Sequence, residues 1–249
     1  MLKRTLSAIV CSAVLLISPI NANANLVTVS SGFSALPTGF TEADFNGDGI
    51  PNDPMSWNLL DTNGDDLGDL LIAIGASQRY SSPLLTDDGS GNFFATTGNT
   101  ICPSGPTACT TDGPRWNFNV FIESLTGPIA GVLDFLELTY ELDPNTSSTA
   151  SLSLLDAQSS SMLTQFSWNL GFEFLNTGLF FGAPTGGVIP AGESFNRFNA
   201  GTYDFSLQAR QGNSDVSVDM SVTAVNSPST LAIFGIAVLS LVGFRKRQL

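Results

Sequence analysis

The chain has 249 residues, of which 43% are apolar and only 12% charged, and its 24 glycines and 18 phenylalanines favour an all-β, turn-rich fold. The formal net charge of −13 argues against nucleic acid as a partner, because phosphate binding needs a basic surface. Histidine is absent, which excludes Ser-His-Asp and Cys-His catalysis and histidine-ligated metals, so we expect a protein that is not an enzyme.

Residues 1–24 have the three parts of a secretory signal peptide. Two basic residues form a positive start, an apolar stretch follows, and Ala22 and Ala24 frame a small-residue cleavage site. We therefore expect export, cleavage after Ala24 and a mature ectodomain over residues 25–226. That ectodomain contains four arginines, no lysine and all 22 acidic residues, which gives it a formal charge of −18.

Two acidic loops within residues 44–69 have the spacing of calcium sites. Ca²⁺ takes oxygen ligands from a flexible loop, and an Asp-x-Asn-x-Asp run supplies three from alternate residues. The first loop offers Asp44, Asn46, Asp48 and Asp53, and the second offers Asp61, Asn63, Asp65 and Asp69. Both loops resemble those of EF-hand, dockerin, thrombospondin type 3 and FG-GAP repeats. The sequence thus predicts structural Ca²⁺, with simple Asn-Gly and Asp-Gly turns as the alternative.

Residues 80–115 are rich in Ser, Thr, Gly and Asp and lack sustained periodicity, which predicts an exposed loop region. After removal of the signal peptide, Cys102 and Cys109 are the two remaining cysteines. Because export leads to an oxidising compartment, we expect a disulfide that locally cross-links this loop.

Apolar and polar residues alternate in several later segments, as in half-buried strands. In residues 215–224, for example, Val218, Met220 and Val222 share one face. Similar patterns cover residues 116–122, 131–143, 163–175 and 201–210. The pattern predicts an all-β β-sandwich, jelly-roll or immunoglobulin-like, at about residues 115–225 with earlier strands completing it.

Several aromatic and acidic side chains are weaker candidates for a site. Trp116 and Trp168 are in phase with apolar neighbours, which favours the core, whereas Trp57 lies between the acidic loops and is the better surface candidate. A glycosidase pair would have to come from Glu137, Glu141 and Glu173. Acidic residues on an outward strand face are usually only solvated, so we do not expect catalysis there.

The C-terminal segment 227–249 combines an apolar span with a basic tail. Leu231–Phe244 contains no charge and predicts a transmembrane helix over residues 230–244. The basic residues Arg245, Lys246 and Arg247 follow directly, which is typical of a stop-transfer signal and predicts a cytoplasmic tail. A buried C-terminal helix is the alternative.

This segment resembles the PEP-CTERM sorting signal of Gram-negative bacteria, in which a Pro-Glu-Pro motif precedes a short transmembrane helix and a basic tail. Here Asn-Ser-Pro stands in place of Pro-Glu-Pro. The matching positions are Pro228, Ser229, Thr230 and Leu231. The resemblance implies transient anchoring in the inner membrane and removal of the tail by exosortase, a membrane-embedded cysteine protease. It further implies sorting to the cell surface or extracellular matrix, often alongside exopolysaccharide.

These observations predict an exported surface or matrix protein with a structural or binding role and a calcium-stabilised fold. A carbohydrate-binding module or adhesin that uses residues 80–115 and Trp57 is the alternative. A polysaccharide-active enzyme ranks last, because it would need two carboxylates that converge in a cleft.

Overall fold

The computed structural model describes residues 25–41, 54–80, 82–101, 113–146, 148–155, 161–180, 183–184, 188–189 and 192–226. The predicted signal peptide, the first acidic loop, the pair Cys102 and Cys109, and the sorting signal with its transmembrane helix lie outside these residues. The described part is mostly β, which confirms the all-β class. Among its helices, none is long and apolar enough to cross a membrane.

The first sheet has five strands, all antiparallel to their neighbours. In spatial order they are β1 (Val27–Ser34), β2 (Met55–Asp61), β3 (Leu70–Gln78), β6 (Trp116–Ser124) and β9 (Leu163–Trp168). Strands that precede residue 115 thus supply three of its five members. This share is larger than the sequence suggested, because β3 is a nearly continuous apolar run rather than an alternating one.

The second sheet has seven strands. In spatial order they are β12 (Val188–Ile189), β8 (Thr149–Ser153), β7 (Phe135–Glu141), β13 (Gly201–Gln211), β14 (Ser214–Val225), β5 (Asn92–Thr96) and β4 (Thr86–Asp87). The pair β14–β5 is parallel and the other pairs are antiparallel. The long hairpin β13–β14 turns at Gly212, whose φ of 61° is the left-handed conformation that glycine adopts without strain.

The remaining elements are short. They are α1 (Ile129–Val132), α2 (Glu173–Thr177), β10 (Leu179–Phe180) and β11 (Ala183–Pro184). The strand predicted over residues 163–175 is wrong in its second half, since β9 ends at Trp168 and α2 follows. Gly178, at φ 70°, terminates α2 as a left-handed C-cap.

One apolar core lies between the two sheets, which face each other as in a β-sandwich. It is formed by alternate residues of the facing strands, including Ile72 and Phe118 from the first sheet and Phe205 and Val222 from the second. The Phe118 ring centroid lies 5.3 Å from that of Phe205 and 6.5 Å from that of Tyr140. Aromatic contacts across the interface therefore hold the sheets together.

A second, smaller apolar cluster covers the opposite face of the five-stranded sheet. Its buried members are Met55, Leu71, Ala73 and Phe121. Leu36 and Phe40, from the segment after β1, pack against it. Strand β3 is therefore buried on both faces, which accounts for its unbroken apolar sequence.

The expectation that residues 80–115 form only loops is wrong in one respect. Strands β4 and β5 both lie inside this range, and β5 inserts Phe93 and Ala95 into the core. It is too short to show sustained alternation in the sequence. Its place is set by parallel pairing with β14, whose residues follow more than a hundred positions later.

Candidate functional sites

The second acidic loop folds around the carboxylate of Asp61, the last residue of β2. One carboxylate oxygen accepts the backbone N–H groups of Asn63 and Gly64 at 2.9 and 2.7 Å, and the other accepts that of Asp66 at 2.7 Å. Burial acts to raise the pKa of Asp61, but the hydrogen bonds from the backbone outweigh it and lower the pKa. The loop is therefore built to hold an ionised carboxylate at its centre.

Asp69 closes the same loop from its other end. Its oxygens accept the backbone N–H of Thr62 at 3.0 Å, the Thr62 hydroxyl at 2.8 Å, and the Asn63 amide at 3.0 Å. Both Asp61 and Asp69 are buried, whereas Asp65 between them is exposed. The two ends of the loop are thus fixed and its tip faces solvent.

The oxygens of Asp61 and Asp69 already accept hydrogen bonds within the loop, so a calcium ion would share them with the amides. Over the described ranges, no three acidic or cysteine side chains come close enough together to hold a metal ion. The first loop lies outside these ranges. Calcium binding by Asp61, Asn63, Asp65 and Asp69 therefore stays a prediction.

A shallow groove of about 460 Å³ runs across the solvent-facing side of the seven-stranded sheet. It is lined by residues of five adjacent strands, β8, β7, β13, β14 and β5, and of the turn before β5. The lining includes five hydroxyl side chains, the amide of Asn92 and the carboxylates of Glu141, Asp204 and Asp219. Such a set is suited to hydrogen bonding with a hydroxyl-rich ligand.

Two of these carboxylates belong to residues that face each other across adjacent strands. Phe205 pairs with Tyr140, so Asp204 falls opposite Glu141, and the Asp204 N–H donates to Glu141 Oε2 at 3.2 Å. Burial raises the pKa of Glu141, and the charge of Asp204 raises it further, although the N–H of Asp204 opposes the shift. The groove thus keeps two like charges side by side.

The three tryptophans have different environments. Trp116 is buried in the main core, which confirms the prediction for it. Trp168 is partly buried and stacks on Phe166 with ring centroids 3.9 Å apart. Trp57 is half-buried in the second cluster, and its indole N–H donates to the Ser34 hydroxyl at 3.3 Å, so it is a weaker ligand platform than its sequence position suggested.

Of the three glutamates considered for a glycosidase pair, only Glu141 lines the groove. Glu137 lies on the same face of β7, and Glu173 begins α2. Asp204 and Asp219 of the groove were not singled out from the sequence. Their outward positions followed from the alternation of β13 and β14, but their meeting with Glu141 depends on strand register.

No protein-family model, no curated protein and no solved structure matches this chain.

Proposed function

We propose that this chain is an exported, non-enzymatic protein of the cell surface or extracellular matrix. Its ectodomain is a β-sandwich of jelly-roll or immunoglobulin-like packing, held at the inner membrane until an exosortase-type protease removes its tail. The role of the mature protein is structural or binding.

The observation that supports this proposal is that all the described strands of both sheets lie between the two expected processing sites. Strand β1 begins at Val27, three residues after Ala24, and β14 ends at Val225, three residues before Pro228. Leu26 and Ala224 are both buried in the main core. Cleavage at both ends would therefore leave every described strand of the two sheets in the mature chain.

The electrostatics of the ectodomain support an extracellular location. Its formal charge of −18 keeps copies apart in solution and attracts divalent cations. The ordered second loop, with the buried Asp61 and Asp69 at its ends, provides a rigid frame on which calcium could act structurally. Affinity would fall in the weak range of extracellular modules, on the order of 10⁻⁴–10⁻³ M.

Cell fractionation tests the sorting step. The full chain is expressed in two strains of a Gram-negative host, one with and one without an exosortase-type protease. We expect release to the surface or medium only where the protease is present, and retention in the inner membrane otherwise. A variant with Arg245, Lys246 and Arg247 replaced by serine should be sorted poorly. The proposal would be contradicted if release were the same without the protease and with the basic tail replaced.

A second candidate function, carbohydrate binding, is favoured by the groove on the seven-stranded sheet. The groove brings hydroxyl, amide and carboxylate groups onto one face, and Phe94, 42% exposed, lies on the same face of β5 as Asn92. An exposed ring beside hydrogen-bonding groups can stack on a sugar. A glycan array probed in the presence of Ca²⁺ would show a selective binder, whereas a purely structural protein would show none.

A further inference from the structure

Five polar side chains form a continuous row across the groove. In order they are Thr149 of β8, Glu141 of β7, Asp204 of β13, Ser221 of β14 and Asn92 of β5. Each member is directly opposite the next in the strand register. At a strand spacing of about 4.8 Å the row is roughly 19 Å long, comparable with the length of a tetrasaccharide.

The row is ordered at one end by hydrogen bonds between side chains. The Ser221 hydroxyl donates to Asn92 Oδ1 at 2.7 Å, and the Asn92 amide donates to Asp88. The Asn92 side chain is therefore fixed without a ligand. In the middle of the row, the Glu141 carboxylate accepts a hydrogen bond from the N–H of Asp204.

The charged groups that line the groove are all acidic. They are Glu141 on β7, Asp204 on β13 and Asp219 on β14. Arg210 lies six residues beyond Asp204 along β13, about 20 Å away at the rise of a strand, and stacks over the Phe135 ring at 4.7 Å. Arg115 donates to Thr96, four residues beyond Asn92 on β5. Neither cation lines the groove.

The facing carboxylates of Glu141 and Asp204 are unfavourable for the fold itself. Like charges directly opposite each other on neighbouring strands destabilise a sheet. Burial raises the pKa of Glu141, the hydrogen bond from the Asp204 N–H lowers it, and the negative charge of Asp204 adds a smaller rise. A ligand that carries positive charge into the groove would relieve this repulsion, so charge complementarity selects a cation.

We propose that the groove binds an oligosaccharide of amino sugars with free, protonated amines, placed between the Glu141 and Asp204 carboxylates. The hydroxyl and amide groups of Thr149, Ser221 and Asn92 suit the sugar hydroxyls, while the two carboxylates suit the amine. The inference rests on the proposed binding role and names its ligand class. A neutral glycan would use the hydroxyl row but leave the carboxylate pair without a counter-charge.

Calorimetric titration with a glucosamine tetramer, slightly below neutral pH, tests the proposal on the exported protein. The fully N-acetylated tetramer of the same length is the matched neutral ligand. We expect the amine form to bind, and Glu141→Gln and Asp204→Asn each to weaken it by about tenfold or more. Glu137→Gln, on the same strand and face but outside the groove, should change affinity by about twofold at most. Thermal unfolding of each variant verifies folding.

The proposal would be overturned if the amine form did not bind, or if both tetramers bound with equal affinity. It would also be overturned if Glu137→Gln lowered the affinity as much as Glu141→Gln and Asp204→Asn, because the binding would then be unspecific charge attraction. Cell fractionation of the same variants separates the two claims. Normal sorting without amine binding overturns only the ligand assignment. Failed sorting of the wild-type chain overturns the proposed function whatever the groove binds.

Discussion

The Tyr140 hydroxyl donates a hydrogen bond of 2.9 Å to the backbone carbonyl oxygen of Leu175. Tyr140 lies on β7 in the seven-stranded sheet, and Leu175 lies on α2, directly after the five-stranded sheet ends at β9. Both side chains are fully buried. The bond therefore ties β7 of the seven-stranded sheet to α2 through a polar contact inside the core.

Replacement of Tyr140 by Phe should lower the free energy of unfolding by about 1–2 kcal/mol, because it leaves the buried Leu175 carbonyl without its donor. Burial raises the pKa of the Tyr140 phenol, so the hydroxyl remains a donor throughout neutral pH. Urea denaturation measures the change. Tyr80→Phe, at a site 44% exposed, is the control and should have the smaller effect. If both variants lost the same unfolding free energy, the hydrogen bond from Tyr140 to Leu175 would contribute no more to stability than the exposed Tyr80 hydroxyl.

The aromatic core predicts a larger loss at Phe118. Its ring is fully buried and lies within 6.5 Å of the rings of Tyr140, Phe166 and Phe205. Phe118→Ala should cost about 3–5 kcal/mol of unfolding free energy by leaving a cavity between the sheets. Phe198→Ala, at a site 57% exposed, should cost about 0.5 kcal/mol or less. Similar denaturation midpoints for the two variants would contradict the assigned core.

Alternation of apolar residues predicted the strands β13 and β14 and the inward faces of β6 and β7, because burial of one sheet face imposes a period of two on each strand. The pattern could not show that the strand ends at Trp168, since Phe172 and Phe174 continue the spacing of a strand although Phe174 lies on α2. It also could not show the pairing of β5 with β14. Strand pairing over long sequence separations depends on the packed fold, and so does the row from Thr149 to Asn92.

The contribution of Asp61 to the free energy of unfolding should depend on pH. The lowered pKa means that the folded state favours the ionised carboxylate. Its contribution is present above the ordinary Asp value of 3.8 and is lost as the pH falls through the lower folded-state pKa. At neutral pH, Asp61→Asn should lower the melting temperature by several degrees. The difference in melting temperature between the variant and the wild type should become smaller at acidic pH. Asp65→Asn, at the exposed tip, is the control. If this difference in melting temperature did not change with pH, the ionised Asp61 carboxylate would not be the source of the stabilisation.

Calcium should raise the melting temperature of the ectodomain, since a ligand that binds only the folded state stabilises it. At millimolar Ca²⁺, near or above the expected dissociation constant, the increase should be about 1–3 °C and should disappear with chelator. Calorimetry with and without chelator measures it, and Asp61→Asn should reduce the response, because it removes a predicted ligand of the second loop and leaves the first loop unchanged. If the melting temperature of the wild-type protein were the same with and without calcium, the prediction of structural calcium would be wrong.

The intact mass of the protein recovered from the cell surface or medium tests the central claim most directly. Processing at both ends predicts a chain that begins at Asn25 and ends near Pro228, with the apolar span and the basic tail removed. A recovered protein that retains Leu231–Phe244 and Arg247 would contradict export through a disposable sorting tail.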